Sequence, residues 1–104
     1  MTHWIDITAT GSLVPGEPLR VSAGGFEIAV FLVDGTALAI EDLCSHDRNS
    51  ISEGCVEGSE IICPRHGARF CLRTGRALTP PAYEDIETFD LKEEEGRIWV
   101  AIPD

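Results

Sequence analysis

Basic residues are scarce in this chain of 104 residues: eight Lys and Arg stand against 18 Asp and Glu, which gives a formal net charge of −10. Such a surface repels nucleic-acid phosphates, so a nucleic-acid partner is not expected. The acidity favours solubility, and steering towards a basic partner is a second interpretation. No apolar stretch approaches the ~20 residues that span a bilayer, and no signal peptide is visible. We therefore expect a cytoplasmic protein without a membrane partner.

Sustained helical periodicity, internal repeats and low-complexity linkers are also missing. Short apolar segments alternate instead with turns that contain glycine or proline, as in antiparallel β-proteins. Strands are predicted at 4–8, 18–22, 26–33, 36–40, 60–62, 69–72, 86–91 and 97–102. Hairpin turns are predicted at Gly24-Gly25, Asp34-Gly35, Thr74-Gly75 and Gly96, and a stiff loop at Pro80-Pro81. We expect one all-β domain over residues 1–104, an antiparallel β-sandwich or small barrel.

Four potential metal ligands occur in two pairs. Cys44 and His46 form a C-x-H pair, and Cys63 and His66 form a C-x-x-H pair. One interpretation is a tetrahedral structural zinc site, and the other is a [2Fe-2S] cluster with two Cys on one iron and two His on the other. Zinc sites commonly take like ligands from each arm, whereas each arm here supplies one Cys and one His. Two loops that flank a flat diiron cluster can each give one ligand to each iron, so the spacing favours the cluster.

These residues resemble those of Rieske-type ferredoxins. The likeness extends over residues 4–102, and its motifs include Ser52-Glu53-Gly54 and the Phe-Cys-Leu-Arg-Thr-Gly segment at 70–75, which are similar to the ferredoxin components of bacterial aromatic-ring-hydroxylating dioxygenase systems. Pro80-Pro81 resembles the loop that covers the cluster in this family. The resemblance implies a β-sandwich with a small inserted cluster-binding subdomain at about residues 42–82. It also implies one [2Fe-2S] cluster, held by Cys44, His46, Cys63 and His66.

The resemblance further implies a low reduction potential. High-potential Rieske proteins carry a disulfide between the ligand loops, at positions that are Asn49 and Arg65 here. They also carry hydroxyl groups near the cluster, where this chain has Ala68 and Phe70. Hydrogen-bond donors stabilise the reduced cluster and raise its potential. Their absence predicts a potential on the order of −150 mV, at the low end of the Rieske range.

Two cysteines and two tryptophans remain besides the predicted ligands. Cys55 and Cys71 are predicted to be small core or half-buried residues rather than redox-active thiols. A disulfide between them is disfavoured in a reducing compartment. Trp4 and Trp99 are predicted to lie in the core.

A cluster whose ligands all come from protein can carry an electron but has no open position for substrate. The resemblance therefore implies a monomeric one-electron carrier rather than a complete enzyme. Its implied partners are an NAD(P)H-dependent, flavin-containing ferredoxin reductase and a terminal Rieske non-haem iron oxygenase that acts on aromatic compounds.

Three other functions are alternatives to the electron carrier. They are a small Rieske-like subunit of a nitrite reductase, the N-terminal domain of an oxygenase, and a zinc-stabilised interaction module with no redox role. The presence of all four ligands counts against the first. The second predicts further iron ligands after residue 102, and none follows.

Overall fold

The computed structural model describes residues 2–44, 50–64, 67–80 and 84–103. These residues form strands and no helix, which confirms the predicted all-β class. The strands are β1 (Thr2–Ala9), β2 (Leu19–Ala23), β3 (Phe26–Val33), β4 (Thr36–Glu41), β5 (Cys55–Glu57), β6 (Glu60–Ile62), β7 (Arg69–Cys71), β8 (Thr88–Phe89), β9 (Leu91–Glu94) and β10 (Arg97–Pro103). All paired strands are antiparallel.

The strands form three sheets, and the central sheet has the strand order β2-β3-β4-β8. One face of it packs against the β1-β10-β9 sheet, and the other packs against the β5-β6-β7 sheet. Along β3, Ile28 and Val30 lie in the first of these two cores, whereas Ala29 and Phe31 lie in the second. Because β3 is buried on both faces, its sequence is an almost continuous apolar run rather than an alternation.

Tight turns set the register of the main hairpins. Asp34 and Gly35 have positive φ angles of 50° and 77°, the conformation of a type I′ turn between β3 and β4. Glu95 and Gly96, with φ angles of 53° and 75°, join β9 to β10 in the same way. The hairpin predicted at Gly24-Gly25 is also confirmed, since β2 pairs with β3.

The predicted strand at 86–91 is wrong, because the chain changes sheet within it. β8 pairs with β4 of the central sheet, whereas β9 pairs with β10 of the outer sheet. At the crossing, the carbonyl of Asp90 accepts a hydrogen bond of 2.9 Å from the amide of Ala101. Ile86 lies in the core between the central and β5-β6-β7 sheets, whereas Phe89 lies in the core between the central and β1-β10-β9 sheets.

The β5-β6-β7 sheet was only partly predicted. β5 was missed, although it pairs with β6 through a turn at Gly58, whose φ is 60°. The turn predicted at Thr74-Gly75 follows β7, but it returns to a single bridge between Phe70 and Ala77 rather than to a full strand. Pro80 lies outside the strands, as predicted, and Pro81 lies outside the described residues.

Candidate metal centre

Cys44 lies at the end of the central sheet, just after β4. The amide of Asp42 donates to the carbonyl of Glu27 on β3 at 2.8 Å, so the chain stays tied to the sheet beyond the strand. A second hydrogen bond of 2.8 Å joins the amide of Leu43 to the carbonyl of Glu41. Cys44 follows at once and is fully buried. A side chain that leaves a rigid strand end is held more precisely than one in a free loop.

Cys63 comes directly after β6 and is also buried, with 1% of its surface exposed. Its amide donates to the carbonyl of Ala68 at 2.7 Å, and its carbonyl accepts from the amide of Gly67 at 3.0 Å. Gly67 has a φ of 72°, a left-handed conformation that glycine adopts at little cost. These contacts hold Gly67 and Ala68 against Cys63.

The two cysteines, although far apart in sequence, lie in one apolar core. This core covers the face of the central sheet that carries Ile40, and it also contains Ile51 and Phe70. Two buried thiols from separate strand ends, in an apolar surrounding, offer soft sulfur donors where solvent is excluded. Iron–sulfur clusters take such donors, and solvent exposure helps to set their potential, so the two cysteines fit a [2Fe-2S] cluster.

The other residues of the predicted site divide into two groups. Ala68 and Phe70 are fully buried, and their side chains carry no hydrogen-bond donor. His46, His66, Asn49 and Arg65 lie outside the described residues.

A hydrogen-bonded network beside Cys44 was not predicted. Oδ1 of Asp42 accepts hydrogen bonds from the Ser50 hydroxyl (2.9 Å) and from the backbone amides of Ile51 (2.9 Å) and Ser52 (2.8 Å). Oδ2 accepts from the Ser52 hydroxyl at 2.8 Å. The sequence offers one signal for this network, an aspartate followed by serines. Aspartate often accepts hydrogen bonds from backbone amides in loops.

Cys55 and Cys71 differ in exposure. Cys71 is half-buried, as predicted, whereas Cys55 is exposed, so the prediction for Cys55 is wrong. β5 is an edge strand in which Val56 is half-buried against the core and both of its neighbours are exposed. Since β6 lies between the strands that carry the two cysteines, their backbones are about 10 Å apart, too far for a disulfide.

Local contacts shift two pKa values in the β5-β6-β7 sheet. A hydrogen bond to Glu57 at 3.0 Å raises the pKa of the Arg69 guanidinium, and a longer contact with Glu60 adds to this effect. Burial raises the pKa of the Cys71 thiol, but hydrogen bonds from Thr74 and from backbone amides outweigh burial and lower it overall.

The prediction that both tryptophans lie in the core is wrong, because Trp4 is 40% exposed and Trp99 is half-buried outside both cores. Trp4 and half-buried Trp99 lie on the outer face of the β1-β10-β9 sheet, and the Lys92 ammonium lies 4.5 Å from the centre of the Trp4 ring. Isoleucines on β1 and β10, such as Ile5 and Ile102, fill the inner face in their place.

Comparison with known proteins identifies the family. The Rieske [2Fe-2S] domain matches residues 3–90, and the chain belongs to this family. The ferredoxin component of a naphthalene 1,2-dioxygenase system from Pseudomonas aeruginosa is 39% identical over 97 residues, which cover 93% of each chain. The cofactor is therefore one [2Fe-2S] cluster, and the zinc interpretation is set aside.

Solved structures of two ferredoxins share the fold. The Sphingomonas yanoikuyae B1 ferredoxin superposes with a TM-score of 0.89 at 29% identity, over 97% of this chain and 100% of that one. A complex of reduced oxygenase and oxidized ferredoxin in carbazole 1,9a-dioxygenase contains a chain that matches with a TM-score of 0.87 at 34% identity, over 94% of this chain and 92% of that one.

A nitrite reductase likeness is limited to the fold. A protein described as a putative NADH-dependent nitrite reductase small subunit from Mycobacterium tuberculosis superposes with a TM-score of 0.88, but at 23% identity.

The described residues also contain no helix with the length and apolarity that crossing a membrane requires.

Proposed function

We propose that this protein is the electron-carrying ferredoxin of a multicomponent aromatic-ring-hydroxylating dioxygenase system. It takes electrons from an NAD(P)H-dependent, flavin-containing reductase and delivers them to a terminal Rieske non-haem iron oxygenase. The observation that carries the proposal is the match, over nearly the whole of both chains, to a ferredoxin component of such a system. The structural likeness to a complex of ferredoxin and oxygenase supports the oxygenase as a partner.

The proposed cluster ligands are Cys44, His46, Cys63 and His66. The two cysteines supply thiolates to one iron, and the two histidines supply neutral imidazoles to the other. When bound, the cluster supplies one reversible one-electron redox centre. Burial of Cys44 and Cys63 excludes water from the sulfur side of the site. Because protein side chains fill every ligand position, the role is electron transfer and not catalysis on a substrate.

The proposed organisation is a single domain of residues 1–104 with a cluster-binding subdomain at about 42–82. The β5-β6-β7 sheet lies within these bounds and shares its core with both cysteines, which supports the boundary. We propose that the protein works as a monomer in the cytoplasm. A carrier that meets two partners in turn needs weak, short-lived complexes, and small polar interfaces provide them.

Two experiments test the proposal in sequence. The purified protein is first measured by absorption and by electron paramagnetic resonance after reduction, and a Rieske-type [2Fe-2S] signal is expected. A colourless protein that holds zinc would overturn the carrier role. The protein is then combined with reductase and oxygenase pairs of naphthalene, phenylpropionate and carbazole dioxygenase systems. Product formation that requires this protein supports the proposal, whereas no stimulation of any pair contradicts the dioxygenase assignment.

A further inference from the structure

Ser52 is a buried polar residue beside the cysteine core, with 3% of its surface exposed. Its hydroxyl donates to Oδ2 of Asp42 at 2.8 Å and accepts from Nε of Arg20 at 2.7 Å. Arg20 belongs to β2, at the edge of the central sheet. The serine therefore joins three separate parts of the chain, and its hydroxyl is satisfied on both sides.

Asp42 determines where the returning chain lies. Its carboxylate binds two successive amides, those of Ile51 and Ser52, at 2.9 and 2.8 Å. The first of these residues, Ile51, is fully buried in the same core as Cys44 and Cys63. Without the carboxylate, buried amides and a buried hydroxyl would lose their acceptor, which is costly in an apolar surrounding.

The returning chain also touches the strand that carries the second cysteine. The amide of Gly54 donates to the carbonyl of Ile51 at 3.0 Å and closes a turn. A Cβ atom at Gly54 would collide with the carbonyl oxygen of Ile62, so this turn packs directly on the backbone of β6. Cys63 is the next residue after Ile62. A continuous path of contacts thus runs from Asp42 through Ser52 and Gly54 to the second cysteine.

We propose that Asp42 is a positioning residue for the cluster site. By binding residues 50–52 it ties them to the end of the central sheet next to Cys44, and through the turn at Gly54 it links Cys44 to Cys63. Arg20 and Ser52 belong to the same hydrogen-bond network. The inference rests on the proposed ligands, and it assigns a role in cluster retention and potential to residues outside the ligand set.

The main test compares Asp42→Asn with Glu53→Gln in the cluster-loaded protein. Both substitutions remove one negative charge near the same segment, but Glu53 is exposed. Hydrogen–deuterium exchange of peptides that cover residues 50–54 should quicken in Asp42→Asn by about tenfold, the factor that corresponds to one lost charge-assisted hydrogen bond. It should stay unchanged in Glu53→Gln.

The same variants are compared for cluster loss to a chelator and for midpoint potential. Asp42→Asn should lose the cluster several-fold faster than the wild-type protein, and its potential should rise more than that of Glu53→Gln. A return of the wild-type values in Asp42→Glu would support positioning by a carboxylate. If Asp42→Asn and Glu53→Gln match in exchange, cluster loss and potential, the proposal is wrong.

A second pair of variants tests the proposal if Asp42→Asn does not fold. Ser52→Ala and Arg20→Gln both act through the Ser52 hydroxyl, so the double variant should lose the cluster no faster than Ser52→Ala alone. If the two substitutions speed cluster loss independently, so that their factors multiply in the double variant, the proposed network is wrong. A wild-type protein without a [2Fe-2S] signal would instead refute the carrier function. Failure of the positioning role and failure of the carrier function are therefore distinguishable.

Discussion

The amide of Cys63 donates a hydrogen bond of 2.7 Å to the carbonyl of Ala68, so the second proposed ligand loop begins and ends at one buried point. Gly67 makes this closure possible, because its left-handed φ of 72° brings the chain back towards Cys63. Cys63, Gly67 and Ala68 are therefore held together by backbone hydrogen bonds.

Substitution of Gly67 by alanine should loosen this loop. A Cβ would meet nothing within 4 Å there, so the cost is backbone strain alone, about 1 kcal/mol of unfolding free energy. Gly58, with a φ of 60° and equal space, provides the matched control. Denaturant unfolding should show similar losses for both alanine variants, whereas chelator challenge should show faster cluster loss only for Gly67→Ala. Equal cluster loss in the two would argue against a special role of the loop.

Replacement of a proposed ligand should change the cluster itself. His46→Cys or His66→Cys should shift the visible and resonance spectra and the potential towards an all-cysteine cluster, or abolish binding, because thiolate donates more negative charge than imidazole. Cys44→Ser should reduce iron content, and Cys55→Ser, at an exposed position, should leave it unchanged. Unaltered spectra in both variants would show that His46 and His66 are not ligands.

The potential should lie at the low end of the Rieske range, on the order of −150 mV. Ala68→Ser should raise it, because a hydroxyl at a fully buried position that high-potential members use would stabilise the reduced cluster. Ala101→Ser, on half-buried β10, is the control and should leave the potential as it is. Spectroelectrochemical titration measures all three proteins. A wild-type value well above zero would contradict the low-potential assignment.

Sequence patterns predicted the strands and hairpins whose signals are local. The Asp-Gly turn and the apolar run of β3 depend only on neighbouring residues, and both appear as predicted. The motif spacing predicts Cys44 and Cys63 as ligands of one cluster; both lie in one core, and their role as ligands stays a prediction. Local preference was sufficient for these strands but not for the three-residue edge strand β5.

The errors arose where the packing of sheets decides the outcome. β8 pairs with the central sheet and β9 pairs with the outer sheet, and because both segments are extended, no local signal marks the crossing at Asp90. Exposure of Cys55 and Trp4 likewise depends on which face of a sheet is covered. The hydrogen bonds of Asp42 join residues 8 to 10 positions apart in the chain, and composition does not reveal such contacts.

Gly54 should be intolerant of any side chain. Its φ is ordinary, so alanine is permitted by the backbone, but a Cβ would collide with the carbonyl oxygen of Ile62. Gly54→Ala should therefore lower the unfolding free energy by on the order of 3 kcal/mol. Gly16→Ala, where a Cβ meets nothing within 4 Å, should lose only about 1 kcal/mol through strain. Thermal and denaturant unfolding distinguish the two, and equal losses would show that the turn does not pack tightly on β6.

Cys71 should react with alkylating reagents at a lower pH than an ordinary thiol. Although burial raises its pKa, the Thr74 hydroxyl, backbone amides and the charge of Arg73 lower it overall. Because the folded-state pKa is lowered, this thiol contributes stability above its unfolded pKa of 9.0, and that contribution is lost as pH falls through the folded value.

Thr74→Val should remove the first of these hydrogen bonds and raise the pKa of Cys71, so that the pH profile of alkylation moves to higher pH. The profile is measured by mass spectrometry in a Cys55→Ser background, where the exposed thiol is absent. Thr36→Val, at the exposed start of β4, is the matched control and should keep the original profile. An unmoved profile in Thr74→Val would show that Thr74 does not stabilise the thiolate.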